Sequence, residues 1–291
     1  MKFDSPYGEL LGAVRWETYG NGNLREVMLN KPSPLQTPYG TLMPKYSFEK
    51  PRDKYRPVLA FYPSGMLKSI YLEKQIMINT PIGMIQAEML TFYEDGSFHR
   101  VFPSYGQVGG YWSEKEEKDL VTPIDIQFAF GRIHNKMACC FYPDGKVKSL
   151  TLYTGERAEV MVNNQEIGIR IGIALYEDGK VKSVEPVLPV DVNTPIGIIS
   201  AYDSEAVGIE GDLNSLVFDK KGHVLEVTTI TSSVEVPGEN GEVKVIKPER
   251  KTSPLDMETK VIVPIRIKFK KDKAEIWDSD GKVHVKAIEA E

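Results

Sequence analysis

Four histidines, His99, His134, His223 and His284, are the first residues to test for chemistry in this sequence. No two stand at metal-ligand spacing, and no His-Glu-x-x-His occurs. Cys139 and Cys140 are the only cysteines, and they are adjacent. Strand neighbours point to opposite faces, so the pair suits two reduced thiols in a strand better than a disulfide. Asp95, Asp144, Asp178, Asp219 and Asp280 recur along the chain, and a pair of carboxylates can act as general acid and base. Their regular company of glycines suits turn chemistry better. Asp278-Ser279-Asp280-Gly281 opens like a calcium loop but lacks the closing glutamate. Gly168-Ile169-Arg170-Ile171-Gly172 sits in a strand-like alternation with no helix after it, which is no phosphate cradle. Neither a nucleophile elbow nor a dinucleotide fingerprint occurs, and no cofactor is expected.

The aromatic residues make the best functional case. Tyr62, Tyr93, Tyr142 and Tyr176 occupy one equivalent position, each preceded by an apolar residue: Phe61, Phe92, Phe141 and Leu175. Strand alternation puts the two rows on opposite faces. One row belongs to the core. The other forms a ladder of tyrosines along the outside or in a groove, where an apolar ring with a polar tip can meet a partner. The competing reading is packing between repeats.

These residues sit in hairpins. An aromatic or apolar pair, two turn residues and a glycine precede an apolar-polar alternation. The unit reads Phe61-Tyr62-Pro63-Ser64-Gly65, Phe92-Tyr93-Glu94-Asp95-Gly96, Phe141-Tyr142-Pro143-Asp144-Gly145 and Leu175-Tyr176-Glu177-Asp178-Gly179. Looser forms end at Gly22, Gly222 and Gly281. Asp or Ser bonds back to the backbone, and Gly supplies the positive φ of the return. A second unit, Thr-Pro-(Tyr/Ile)-Gly, occurs at 37–40, 80–83 and 194–197, with Ser5-Pro6-Tyr7-Gly8 as a variant. It reads as a strand entry after a sharp bend.

The two units keep step. Gly22 to Thr37, Gly65 to Thr80 and Gly179 to Thr194 each span 15 residues, and 22–65 overlays 179–222 at an offset of 157. Two different motifs at three equal spacings mark internal repetition. The spacing predicts an all-β protein of repeated antiparallel hairpins, stacked into an extended or rolled-up sheet. The hairpin repeat domain covers 1–232, interrupted by an insertion at about 104–135 that contains Gly109-Gly110. Residues 233–291 form a linker hairpin and C-terminal strands packed on the array. The only helical composition, Ser113 to Leu120, is too short and too charged to bury a face.

The FYPDGKVKSL and FYEDG units resemble MORN-type repeats, above all the variant bacterial form with an aromatic pair, a turn, glycine and then lysine. The likeness covers 1–232 in patches. It implies a hairpin scaffold for protein or lipid contacts and does not imply catalysis.

Composition narrows the partners. A formal net charge of -5 without a basic tail argues against nucleic acid. A carboxylate at Asp4 and the lack of any apolar stretch of signal-peptide or membrane-spanning length point to a cytoplasmic protein. Three functions follow. The first is a non-catalytic scaffold holding an unknown protein partner, with sheet edges through which it can also oligomerise. The second is a carbohydrate or cell-envelope ligand module on the same tyrosine row. The third is an enzyme with a site in the insertion near Trp112, Asp125 and His134.

Overall fold

A computed structural model describes residues 1–50, 52–105, 112–207, 214–238, 242–253 and 258–288. Gly109-Gly110 therefore lies outside the described residues. The protein is almost wholly β, built of antiparallel hairpins. Its contacts cluster into two compact units, Met1–Ile126 with His134–Thr154 and Gln127–Ile133 with Gly155–Glu291.

In the first unit the sheet runs in the order Ala13–Thr18, Leu24–Leu29, Leu59–Phe61, Leu67–Thr80, Gly83–Phe92, Phe98–Phe102, Met137–Phe141 and Val147–Leu152. In the second it runs Gln165–Leu175, Val181–Pro186, Leu216–Phe218, Val224–Thr229, Ile265–Phe269, Lys273–Trp277 and Val283–Ala287, and Ala158–Val162 also pairs with Gln165–Leu175. Chain order is spatial order, as expected for repeated hairpins. The C-terminal strands continue this sheet, with Val227 opposite Ile267. The boundary expected at 232 thus falls inside the second unit.

Among the described residues seven turns share one bond pattern. In the 61–67 hairpin Tyr62 N donates to Met66 O and Gly65 N donates to Tyr62 O, both at 2.8 Å. The same pair recurs at Tyr19, Tyr93, Tyr142, Tyr176, Asp219 and Asp278. The loop has three residues and closes on a left-handed glycine, with φ between +78° and +91° at Gly22, Gly65, Gly96, Gly145, Gly179, Gly222 and Gly281. A side chain there would clash with its own backbone, so the glycines fall at fixed intervals.

The Thr-Pro-x-Gly unit differs from its expected role. It is the tip of a hairpin, with Thr80 paired to Gly83 and Thr194 to Gly197. Thr80 Oγ1 donates to Gly83 O at 2.7 Å and accepts from Ile82 N at 3.3 Å. Ser5, Thr37 and Thr194 repeat both bonds. The hydroxyl completes the turn, so the chain reverses instead of entering a single strand.

The core is the row expected from alternation. Phe61, Phe92, Phe141, Leu175 and Phe218 are at most 3% exposed. The helix at Glu114–Asp119 buries no face, as its length and charge predict, but it is capped and sinks one side chain. Ser113 and Glu116 form a capping box, and Glu117 is buried despite its charge. Among the described residues no helix is long and apolar enough to cross a membrane.

Candidate binding surface

The tyrosines of the ladder are half-buried, one to each turn. Tyr62 Oη donates to Phe92 O at 2.9 Å, Tyr93 Oη to Phe141 O at 2.8 Å and Tyr176 Oη to Phe218 O at 2.7 Å. Each phenol therefore bonds the aromatic position of the next turn along. Tyr142 opens an identical turn. Tyr19 is a further member, donating to Phe61 O at 2.9 Å. Sequence reasoning left it out of the row, although its glycine spacing was the available signal.

The hydroxyls are engaged, and the rings remain. Lys68 Nζ lies 5.6 Å from the Tyr62 ring, Lys220 Nζ lies 5.6 Å from that of Tyr176, and the His99 ring lies 4.7 Å from that of Tyr93. Burial raises the phenol pKa of Tyr62, Tyr93 and Tyr176, so all three stay neutral donors at physiological pH.

Beyond Tyr176 the row changes chemistry. Asp219 occupies the tyrosine position, three residues before Gly222. Its carboxylate accepts from Lys221 N and His223 N and pairs with His223 Nδ1 at 3.0 Å. Asp278 does the same with Asp280 N, Lys282 N and His284 Nε2. Asp95, Asp144 and Asp178 each accept the backbone N–H two residues on, as turn residues do.

Hairpin tips rest on turns about sixty residues away in sequence. Tyr7 Oη accepts from Leu67 N, Tyr39 Oη donates to Gly96 O, and Asn163 Nδ2 donates to Gly222 O. Gly145 lies against Pro81, where an added Cβ would come within 3.0 Å of the ring. Adjacent tips and turns enclose a groove. In the first unit its volume is 420 Å³, between tip residues Tyr7, Pro38 and Tyr39 and the turns at Met66 and Gly96. In the second unit it is 640 Å³, between tip residues Phe128, Phe130 and Asn163 and the turns at Gly179 and Gly222. The Tyr39 ring stacks on Phe92 at 5.7 Å, and Phe128 stacks on Phe130 at 4.8 Å. The turns opened by Tyr93 and Tyr176 are walls of these grooves.

The insertion contributes Glu117 to a buried ion cluster with Arg52 and Glu88. Arg52 forms a two-pronged pair with Glu88, 2.6 Å on each arm, and reaches Glu117 at 3.0 Å. Burial opposes its charge, but bonds to Glu88 and Glu117 outweigh that and hold the guanidinium pKa above its ordinary value. Ser104 Oγ donates to Glu117, Trp112 Nε1 donates to the other Glu117 oxygen, and Tyr105 N donates to Glu88. Arg56 lies 4.7 Å from both the Tyr71 and Tyr105 rings. Trp112 is thus tied to this cluster, while Asp125 and His134 form an exposed pair at 3.8 Å. Among the described residues no three His, Cys, Asp or Glu side chains converge as a metal site.

Cys139 and Cys140 are both buried and free. Burial pushes the Cys139 thiol up to about 12 and raises that of Cys140. Neither thiol is expected to react with Ellman's reagent in the folded protein, and both are expected to react after unfolding. Labelling of the native chain would refute this protonated, enclosed pair.

Glu185 is fully buried, and burial raises its pKa against the opposing bonds of Ser215 and the charge of Arg170, 3.7 Å away. A raised folded pKa means that the native state holds the proton more tightly. The resulting stabilisation is complete below the ordinary value of 4.5 and is lost as pH rises through the raised value. Glu185→Gln is expected to match wild type at acid pH and to exceed it in urea midpoint at neutral pH. An unchanging difference across that range would contradict the assignment.

No family model and no curated protein matches the chain.

Proposed function

We propose that this chain is a non-catalytic β-hairpin scaffold that holds a protein partner along its row of turns. The observation that carries this reading is one groove occurring in both units, walled by the same kinds of turn and tip and lined by aromatic rings. Aromatic rings beside exposed polar turns are the composition of an interaction surface. Rings of the tyrosine row, with their hydroxyls turned into the array, add flat apolar contact next to the grooves. The MORN-like units agree with a scaffold role. The reading takes the protein to work in the cytoplasm, where buried cysteines stay reduced.

The test compares two sets of substitutions at Tyr62, Tyr142 and Tyr176. Tyrosine to phenylalanine removes the hydroxyl and keeps the ring; tyrosine to alanine removes both. In affinity capture from the native cell, the phenylalanine protein is expected to retain its partner and the alanine protein to lose it, both keeping the β circular dichroism of wild type. Unchanged capture by a folded alanine protein would sink the proposal.

A further inference from the structure

The strand Ala13–Thr18 ends the sheet of the first unit. It pairs with Leu24–Leu29 on one side, and no strand lies on its other side among the described residues. Met1 takes the edge only at Ala13, through backbone bonds of 3.0 Å and 3.2 Å. From Val14 to Thr18 every residue is exposed, including Val14 at 50% and Trp16 at 41%. An open edge presents unpaired N–H and C=O groups, which natural sheets blunt with lysine, proline or an inward charge. This strand has neither lysine nor proline. Its unbroken register is Arg15-Trp16-Glu17, opposite Met28, Val27 and Glu26.

That sequence is complementary to itself. An antiparallel copy related by a two-fold axis through Trp16 sets Arg15 opposite Glu17 of the second copy, and Glu17 opposite its Arg15. Val14 then meets Thr18, and the two indoles meet on the axis. Both like-charge clashes are avoided and both opposite-charge pairs are made. Within one copy Glu17 holds only an exposed contact with Arg25 at 3.6 Å, which leaves it open to a second cation. Phe3 packs edge-on against Trp16 at 5.5 Å and fixes the indole at the edge. The strand Val283–Ala287 behaves differently. Self-pairing about Val285 would set His284 against Lys286, two basic groups.

We infer that two copies of this chain associate through the Arg15-Trp16-Glu17 edge, adding strand to strand about a two-fold axis at Trp16. The contact is short, so the dimer is in rapid equilibrium with monomer. Sedimentation velocity of the full chain over a concentration series tests it. Wild type is expected to shift from monomer to dimer with rising concentration. Glu17→Arg sets like charges opposite each other and is expected to weaken the dimer at least about tenfold in Kd. The double variant Arg15→Glu with Glu17→Arg restores the complementarity and is expected to recover dimerisation. All these positions are exposed, so each variant folds, which circular dichroism checks. A chain that stays monomeric at every concentration overturns the inference. So does a dimer indifferent to Glu17→Arg, or a charge reversal that fails to rescue.

Discussion

Arg52→Ala is expected to destabilise the first unit by about 3–5 kcal/mol, the usual effect of removing one partner from a buried ion pair. The side chains of Arg52, Glu88 and Glu117 are each 8% exposed, so water cannot replace the lost guanidinium. Two carboxylates would stay buried without their guanidinium, still accepting from Ser104, Trp112 and the Tyr105 N–H, whose neutral bonds do not replace a full charge. The attraction within the cluster is not the main loss. Most of the effect is the desolvation of charges left behind, so further variants separate the two contributions. Arg52→Met with Glu88→Leu and Glu117→Leu removes the charges together and is expected to recover much of the stability. Arg52→Lys keeps the charge but loses the fork, and should fall between. Urea unfolding followed by Trp112 fluorescence, in a background with Trp16 and Trp277 replaced by phenylalanine, reads this unit locally, since two units need not unfold in one step. A loss below about 1 kcal/mol for Arg52→Ala would mean that the cluster is wetter than its burial indicates.

Phe61→Ala is expected to cost about 3–5 kcal/mol, against about 1 kcal/mol for Tyr62→Phe one residue later. The contrast follows from strand alternation. Phe61 is 2% exposed and among the largest fully enclosed side chains, so truncation leaves a cavity as well as losing apolar burial. The Tyr62 ring is half-buried, and replacing it with phenylalanine removes only the hydroxyl. What is lost is one bond to Phe92 O, 2.9 Å long. Phe92 then keeps an under-satisfied carbonyl, partly compensated by solvent at this edge of the turn. Thermal or urea midpoints of the two variants measure the difference. Equal losses would mean that the two rows do not divide into core and ladder.

Much of the architecture was legible because turns are local. A left-handed glycine must follow the aromatic pair at a fixed distance, so Gly22, Gly65, Gly96, Gly145, Gly179, Gly222 and Gly281 announce the hairpins in one dimension. Alternation then separates Phe61 from Tyr62 without further information. The packing of tips on turns was not legible. Tyr39 and Gly96, or Asn163 and Gly222, lie nearly sixty residues apart, and only the stacking order of the hairpins brings them together. The Thr-Pro-x-Gly motif showed a bend, but the bond from the threonine hydroxyl across the turn decides between entry and reversal. Arg52, Glu88 and Glu117 look like ordinary surface charges in a charged stretch. Their burial arises from the fold placing three distant segments together, 36 and 65 residues apart. The same holds for Glu117, the one buried residue of a short helix whose composition indicates no buried face.

Site-specific photo-crosslinking in the native cell tests the scaffold reading most directly. A benzophenone side chain at Pro38 samples the first groove, one at Lys221 samples the second, and one at the exposed Glu235 samples a strand that lines neither. The proposed function predicts that Pro38 and Lys221 each yield a covalent adduct with a partner protein and that Glu235 yields none. Adducts from Glu235 alone, or none from either groove position, would contradict it.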